Sequence, residues 1–99
     1  MYFKCKNSYQ PENGVWWLYA KIIKHNDEDT CQVFEFQRTS RENEFVAGLA
    51  TPFAGSVDTN KYTYYQDLFD EISKEEFEDA LKLFMEDFNN YMDFIRCSP

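Results

Sequence analysis

The chain has 99 residues, 43% hydrophobic and 19% aromatic, enough apolar material for one packed domain and too much for a disordered segment. A formal charge of −8, from 18 acidic and 10 basic side chains, argues against direct nucleic-acid binding, because attachment to phosphate backbone depends on Lys and Arg. The longest aromatic–aliphatic run, VWWLYA, is too short to span a bilayer, so no membrane partner is expected.

Residues 1–8 are expected as a first strand. MYFKCKNSYQ has no apolar signal-peptide core, and a cytoplasmic location is expected. PENG at 11–14 is turn chemistry. Residues 15–25 alternate as a second strand, with Trp16, Leu18, Ala20 and Ile22 on one face and Val15, Trp17, Tyr19, Lys21 and Ile23 on the other. NDEDT at 26–30 is a turn. A third strand over 30–39 places Phe34 and Phe36 on one face, so the opening half of the chain reads as a β-meander. The small, apolar stretch 44–57 is expected to hold a strand over 44–49 and then a loop around Pro52 and Gly55. KYTYYQDLF, 61–69, is rich in aromatic β-formers and is expected as a strand.

The helix expected over 74–95 has the clearest start. Ser73 is its N-cap, Glu76 occupies the N3 position of a capping box, and Ile72 is placed to pack on Phe77 as a hydrophobic staple. Phe77, Ala80, Leu81, Phe84, Phe88, Tyr91, Met92 and Ile95 then recur at helical spacing and form one core-facing stripe. The expected fold is a single α+β domain over 1–99. It is a mainly antiparallel sheet of four or five strands with one long C-terminal helix packed on one face.

Chemistry is harder to find. Cys5, Cys31 and Cys97 are odd in number, widely spaced and expected as reduced thiols. His25 is the single histidine, and Cys31 lies across the NDEDT turn from it. No orienting group or oxyanion element accompanies the pair. NDEDT lacks the glycine and distal glutamate of a calcium loop, and no glycine-rich phosphate loop occurs. No cofactor, metal or catalytic residue is therefore assigned.

Charge is the more informative signal. Residues 58–99 hold eleven acidic and four basic side chains, a net of −7, whereas residues 1–57 carry a net of −1. On the helix, Glu75, Glu78, Asp79, Glu86 and Asp93 fall outside the core stripe. Much of this acid is the solvated side that any amphipathic helix needs. Carboxylates one turn apart also stand about 5–6 Å from each other, a spacing comparable with that of phosphates. Leu83, Asp87, Asn90 and Phe94 form a neighbouring strip in which two apolar side chains are framed by polar ones, the pattern of a small protein contact. Trp17 and Tyr19 are expected on the sheet face away from the helix, where aromatic rings with polar tips suit an interface.

The favoured function is a small, acidic, non-enzymatic module. It would dock on a basic surface of another protein through Asp79, Leu83, Glu86, Asp87, Asn90 and Phe94, or through Trp17 and Tyr19. Inhibitors and adaptors, including those of phages and mobile elements, offer an analogy of size and charge alone. The alternatives are a homodimer formed through the outer sheet face, and a small-molecule binder or enzyme that uses the 45–57 loop.

Overall fold

The computed structural model describes residues 1–7, 16–39, 52–63 and 69–97. Among these residues, five strands form one antiparallel sheet: β1 (Tyr2–Asn7), β2 (Trp16–His25), β3 (Thr30–Thr39), β4 (Phe53–Asp58) and β5 (Asp70–Ile72). A helical turn, α1 (Asn60–Thr63), follows β4, and the long helix α2 (Lys74–Cys97) follows β5. The strand order is β4-β3-β2-β1-β5. The fold is α+β, as the sequence predicts.

The meander forms because its turns are chemically specified. Asp27 Oδ1 accepts the backbone N–H groups of Asp29 and Thr30, both at 2.8 Å, which closes the β2–β3 turn. These bonds hold the Asp27 carboxyl below its usual range. The same turn ties to the end of β4, where Thr59 N donates to Asp29 O at 2.8 Å and Asn26 Nδ2 donates to Ser56 Oγ at 3.0 Å.

Directly paired residues share a sheet face, so the register sorts the side chains into rows. Lys4, Tyr19 and Phe36 form one row, and Trp17 and Arg38 belong to the next. These rows lie on the face that α2 covers. Phe36 is the hub, with ring centroids 5.5 Å from Phe77, 5.0 Å from Phe84 and 5.2 Å from Tyr19. Ile72, Leu81 and Phe88 pack around that centre, as the staple and the core stripe require. Ser73 Oγ accepts Glu76 N–H at 3.1 Å and caps the helix. The Glu76 carboxylate meanwhile receives Lys4 Nζ at 2.8 Å, tying the first turn of the helix to β1.

Four expectations change. Tyr19 and Trp17 are on the helix-covered face, and Ala20 and Ile22 are on the other. A strand over 61–69 was predicted, but Asn60–Thr63 is helical and β5 is Asp70–Ile72; residues 64–68 of that stretch lie outside the described residues. Gly55 lies inside β4, not in a loop. The helix runs to Cys97, and Ile95, assigned to the core stripe, is exposed because it stands more than two turns beyond the last fully buried residue, Phe84. The strand predicted over 44–49 lies outside the described residues.

Two substitutions test this packing by chemical denaturation. Ser73→Ala is expected to cost about 0.5–2 kcal/mol through loss of the cap. Phe84→Ala is expected to cost about 3–5 kcal/mol through the cavity left between α2 and Phe36. A Phe84→Ala protein as stable as the parent would mean that α2 does not pack through this stripe.

Candidate functional site

Two places concentrate polar chemistry: the second face of the sheet and the outer side of α2. On the second face, the register sets Phe3, Ala20, Glu35 and Phe53 in one row across four strands. Glu35 is buried, at 6% exposure, among apolar neighbours. Its Oε1 accepts Lys61 Nζ at 2.6 Å and Tyr62 Oη at 2.5 Å. Both donors come from α1, whose first N–H is held by Asp58 Oδ1 at 2.8 Å. Tyr62 stacks on Phe3 with centroids 5.3 Å apart and meets Phe69 edge-on at 5.1 Å. Its ring touches β1 while its hydroxyl reaches β3, so it crosses the intervening strand. Ala20, fully buried on β2, leaves the room for that crossing.

The electrostatics follow from this burial. Desolvation and the hydrogen bond to Glu35 push the Tyr62 phenol well above its ordinary value, so it is a held proton. Burial also pushes up the thiols of Cys5 and Cys31, the first with help from Glu35 and the second from Asp58. The register sets His25 opposite Cys31, but Cys31 is fully buried and His25 is exposed. A raised thiol is the reverse of what a nucleophile needs. Among the described residues no cluster of three or more His, Cys, Asp or Glu side chains is arranged to hold a metal ion.

The outer side of α2 divides its acids in two. Glu76 and Asp87 turn toward the sheet, Glu76 to Lys4 and Asp87 to Arg38 at 3.4 Å. Glu75, Glu78, Asp79, Glu86 and Asp93 are exposed on the opposite arc. Only Asp93 of these approaches a cation among the described residues, with Arg96 at 4.0 Å. From Glu75 to Asp93 the acidic arc runs about 27 Å at the helical rise of 1.5 Å per residue.

The residues singled out from sequence separate accordingly. Asp79, Glu86 and Asn90 are exposed on the helix, Leu83 is 45% exposed and Phe94 69% exposed. Asp87 belongs to the inward pair. Trp17 pairs with Arg38 across β2–β3, and Lys4 Nζ lies 5.0 Å from its ring centroid. Trp17 thus joins Lys4, Arg38, Glu76 and Asp87 at the margin of α2 that also carries Leu83. Tyr19 is packed under the helix against Phe36. The Glu35–Lys61–Tyr62 cluster was not singled out. Its signal was the alternation of CQVFEFQRT, which puts Cys31, Val33 and Glu35 together on the face opposite Phe34 and Phe36.

No protein-family model, curated protein or solved structure matches this chain. Among the described residues no helix is long and apolar enough to cross a membrane.

The cluster generates a pH prediction. The Tyr62 phenol titrates higher in the folded chain than in the unfolded one, so folding retains a proton that the unfolded chain releases. Stability from this group is complete below about pH 10 and is lost above it, by up to about 1.4 kcal/mol per pH unit. The raised thiols act in the same direction, beginning near their ordinary range. Urea unfolding from neutral to alkaline pH should show a shallower decline for Tyr62→Phe than for the parent. Equal slopes would place the lost proton elsewhere. Glu35→Ala should cost about 1–3 kcal/mol at neutral pH, because it strands the buried phenol hydroxyl while Lys61 can reach water.

Proposed function

We propose that this chain is a protein-binding module that docks on a basic surface of another protein through the outer face of α2. The observation that carries the reading is the division of the helix acids. Those facing the sheet are matched to Lys4 and Arg38, whereas Glu75, Glu78, Asp79 and Glu86 have no cation within ion-pair distance among the described residues. Folding alone calls for a solvated face, but it does not call for one on which acids outnumber bases more than two to one. Lys82 and Arg96 are the only bases on this arc, against five acids.

Such a face speeds encounter with a basic partner and sets its orientation. It supplies little holding power, since exposed ion pairs contribute about 0–1 kcal/mol each. The half-exposed Leu83, beside the Trp17 margin, supplies the apolar contact that slows dissociation. A small domain acting in this way works by occupying a surface, as inhibitors and adaptors do.

The test is affinity capture from the native host lysate with the parent and an Asp79→Lys/Glu86→Lys variant side by side, followed by kinetics on the protein retained. The double variant should associate at least about tenfold more slowly at low salt, with a flatter salt dependence. Leu83→Ala should instead raise the dissociation rate. Both changes lie off the core stripe and should leave the melting temperature near that of the parent. If the retained protein binds the double-lysine variant as fast as the parent, the acidic arc is solvated surface and nothing more.

A further inference from the structure

Among the described residues, the two edge strands of the sheet differ in length and charge. β5 is three residues long and two of them are acidic, features that keep an edge from accepting another strand. β4, FAGSVD, is twice as long, holds no lysine or proline, and carries one charge, at its final position. Among the described residues it pairs only with β3. Phe53 is 46% exposed, and Ala54 and Ser56 are exposed as well. α2 packs on β1, β2 and β3, so its acidic arc lies away from this edge.

We propose that β4 pairs antiparallel with β4 of a second copy of this chain, joining two five-stranded sheets into one. A two-fold axis relating the strands stands perpendicular to the sheet, and paired residues share a face, so the axis passes midway between a residue and its own copy. With the axis at Gly55, Phe53 meets the partner subunit's Val57, and Ala54 meets the partner subunit's Ser56. Phe53 is already shaped for this register. Its ring lies along the strand over Gly55, where a Cβ would stand 3.0 Å from Cζ of Phe53. The glycine keeps the axis open, and the ring gains a β-branched cross-strand neighbour.

Charge permits this occupant. A basic partner is drawn to α2, not to a strand whose one carboxylate stands at its end. A second copy is tolerated there despite a formal charge of −8 per chain. In this register the two Asp58 residues lie about 20 Å apart along the strands, well beyond the screening length of about 8 Å at physiological salt.

The test is mass by light scattering and sedimentation over a micromolar-to-millimolar series, with amide exchange read at each concentration. The parent should approach twice the 11.9 kDa of one chain, and the amides of 53–58 should exchange more slowly as it does so, while those of 70–72 do not change. Ala54→Lys sets two lysines across the axis and should abolish the dimer. Glu71→Lys, on the opposite edge, should leave it intact. Phe53→Ser is the second variant if Ala54→Lys does not fold, as judged by circular dichroism. A parent that stays monomeric throughout overturns the proposal. So does a folded Ala54→Lys protein that dimerises like the parent, or a doubled mass without concentration-dependent protection of 53–58.

Discussion

Glu35 places a carboxylate where the sheet would otherwise hold an apolar side chain, and the covering of the second face depends on what that carboxylate holds. A single helix shields one side of the sheet. The other is closed around a four-residue turn that delivers Lys61 and Tyr62 to the same oxygen. Removing a carboxylate from water is unfavourable by several kcal/mol unless it is matched by opposite charge and hydrogen bonds. Both are present here. The need is mutual, because the hydroxyl of a tyrosine at 1% exposure also requires an acceptor. An apolar residue at 35 would leave the ring of Tyr62 well seated and its hydroxyl stranded. The pairing therefore fixes where α1 lands, and the stacked Phe3 and edge-on Phe69 follow from that position.

The helix and the meander were legible because their signals are local. A cap, a staple and a repeat of 3.6 residues need nothing beyond their own stretch of chain, and Ser73, Ile72, Phe77 and Phe84 all behave as that stretch implies. The assignment of faces was not legible in the same way. Alternation in VWWLYAKIIKH says that Trp17 and Tyr19 share a side. It does not say which side the helix takes. The deciding facts are non-local: Phe36 needs Phe77 and Phe84, and Ala20 makes room for Tyr62. Residues 61–63 depart from the expected strand for a related reason. Their aromatic character favours a strand, but Tyr62 is set by contacts to residues 3 and 35, which outweigh a propensity scale spanning about 1 kcal/mol. In β4, the small residues that suggested a loop instead suit a strand whose glycine underlies a phenylalanine ring.

The candidate surface was legible in its charge and less so in its membership. Asp79 and Glu86 stand where a helical wheel puts them. Asp87 sits one position on, yet it turns inward because Arg38 projects from the sheet beneath it. Helical position alone does not separate a solvated acid from a matched one. The basic side chain that makes the difference is 49 residues away in sequence.

The position of β1 has a consequence for how the chain is assembled during synthesis. β1 is an interior strand: one side pairs with β2 within a local hairpin, and the other pairs with β5, so that Tyr2 lies opposite Ile72. Local pairings close early, and those between distant residues close late. As the chain emerges from the ribosome, the β1–β2–β3 meander can form while the outer edge of β1 still lacks its neighbour. That edge stays open until residues 70–72 have been made, and the strand that closes it is immediately followed by α2. Completion of the sheet and seating of the helix are thus joined at Ile72 and Ser73. Until then the nascent meander presents an unpaired edge and the bare Phe36 face together, a combination prone to aggregation.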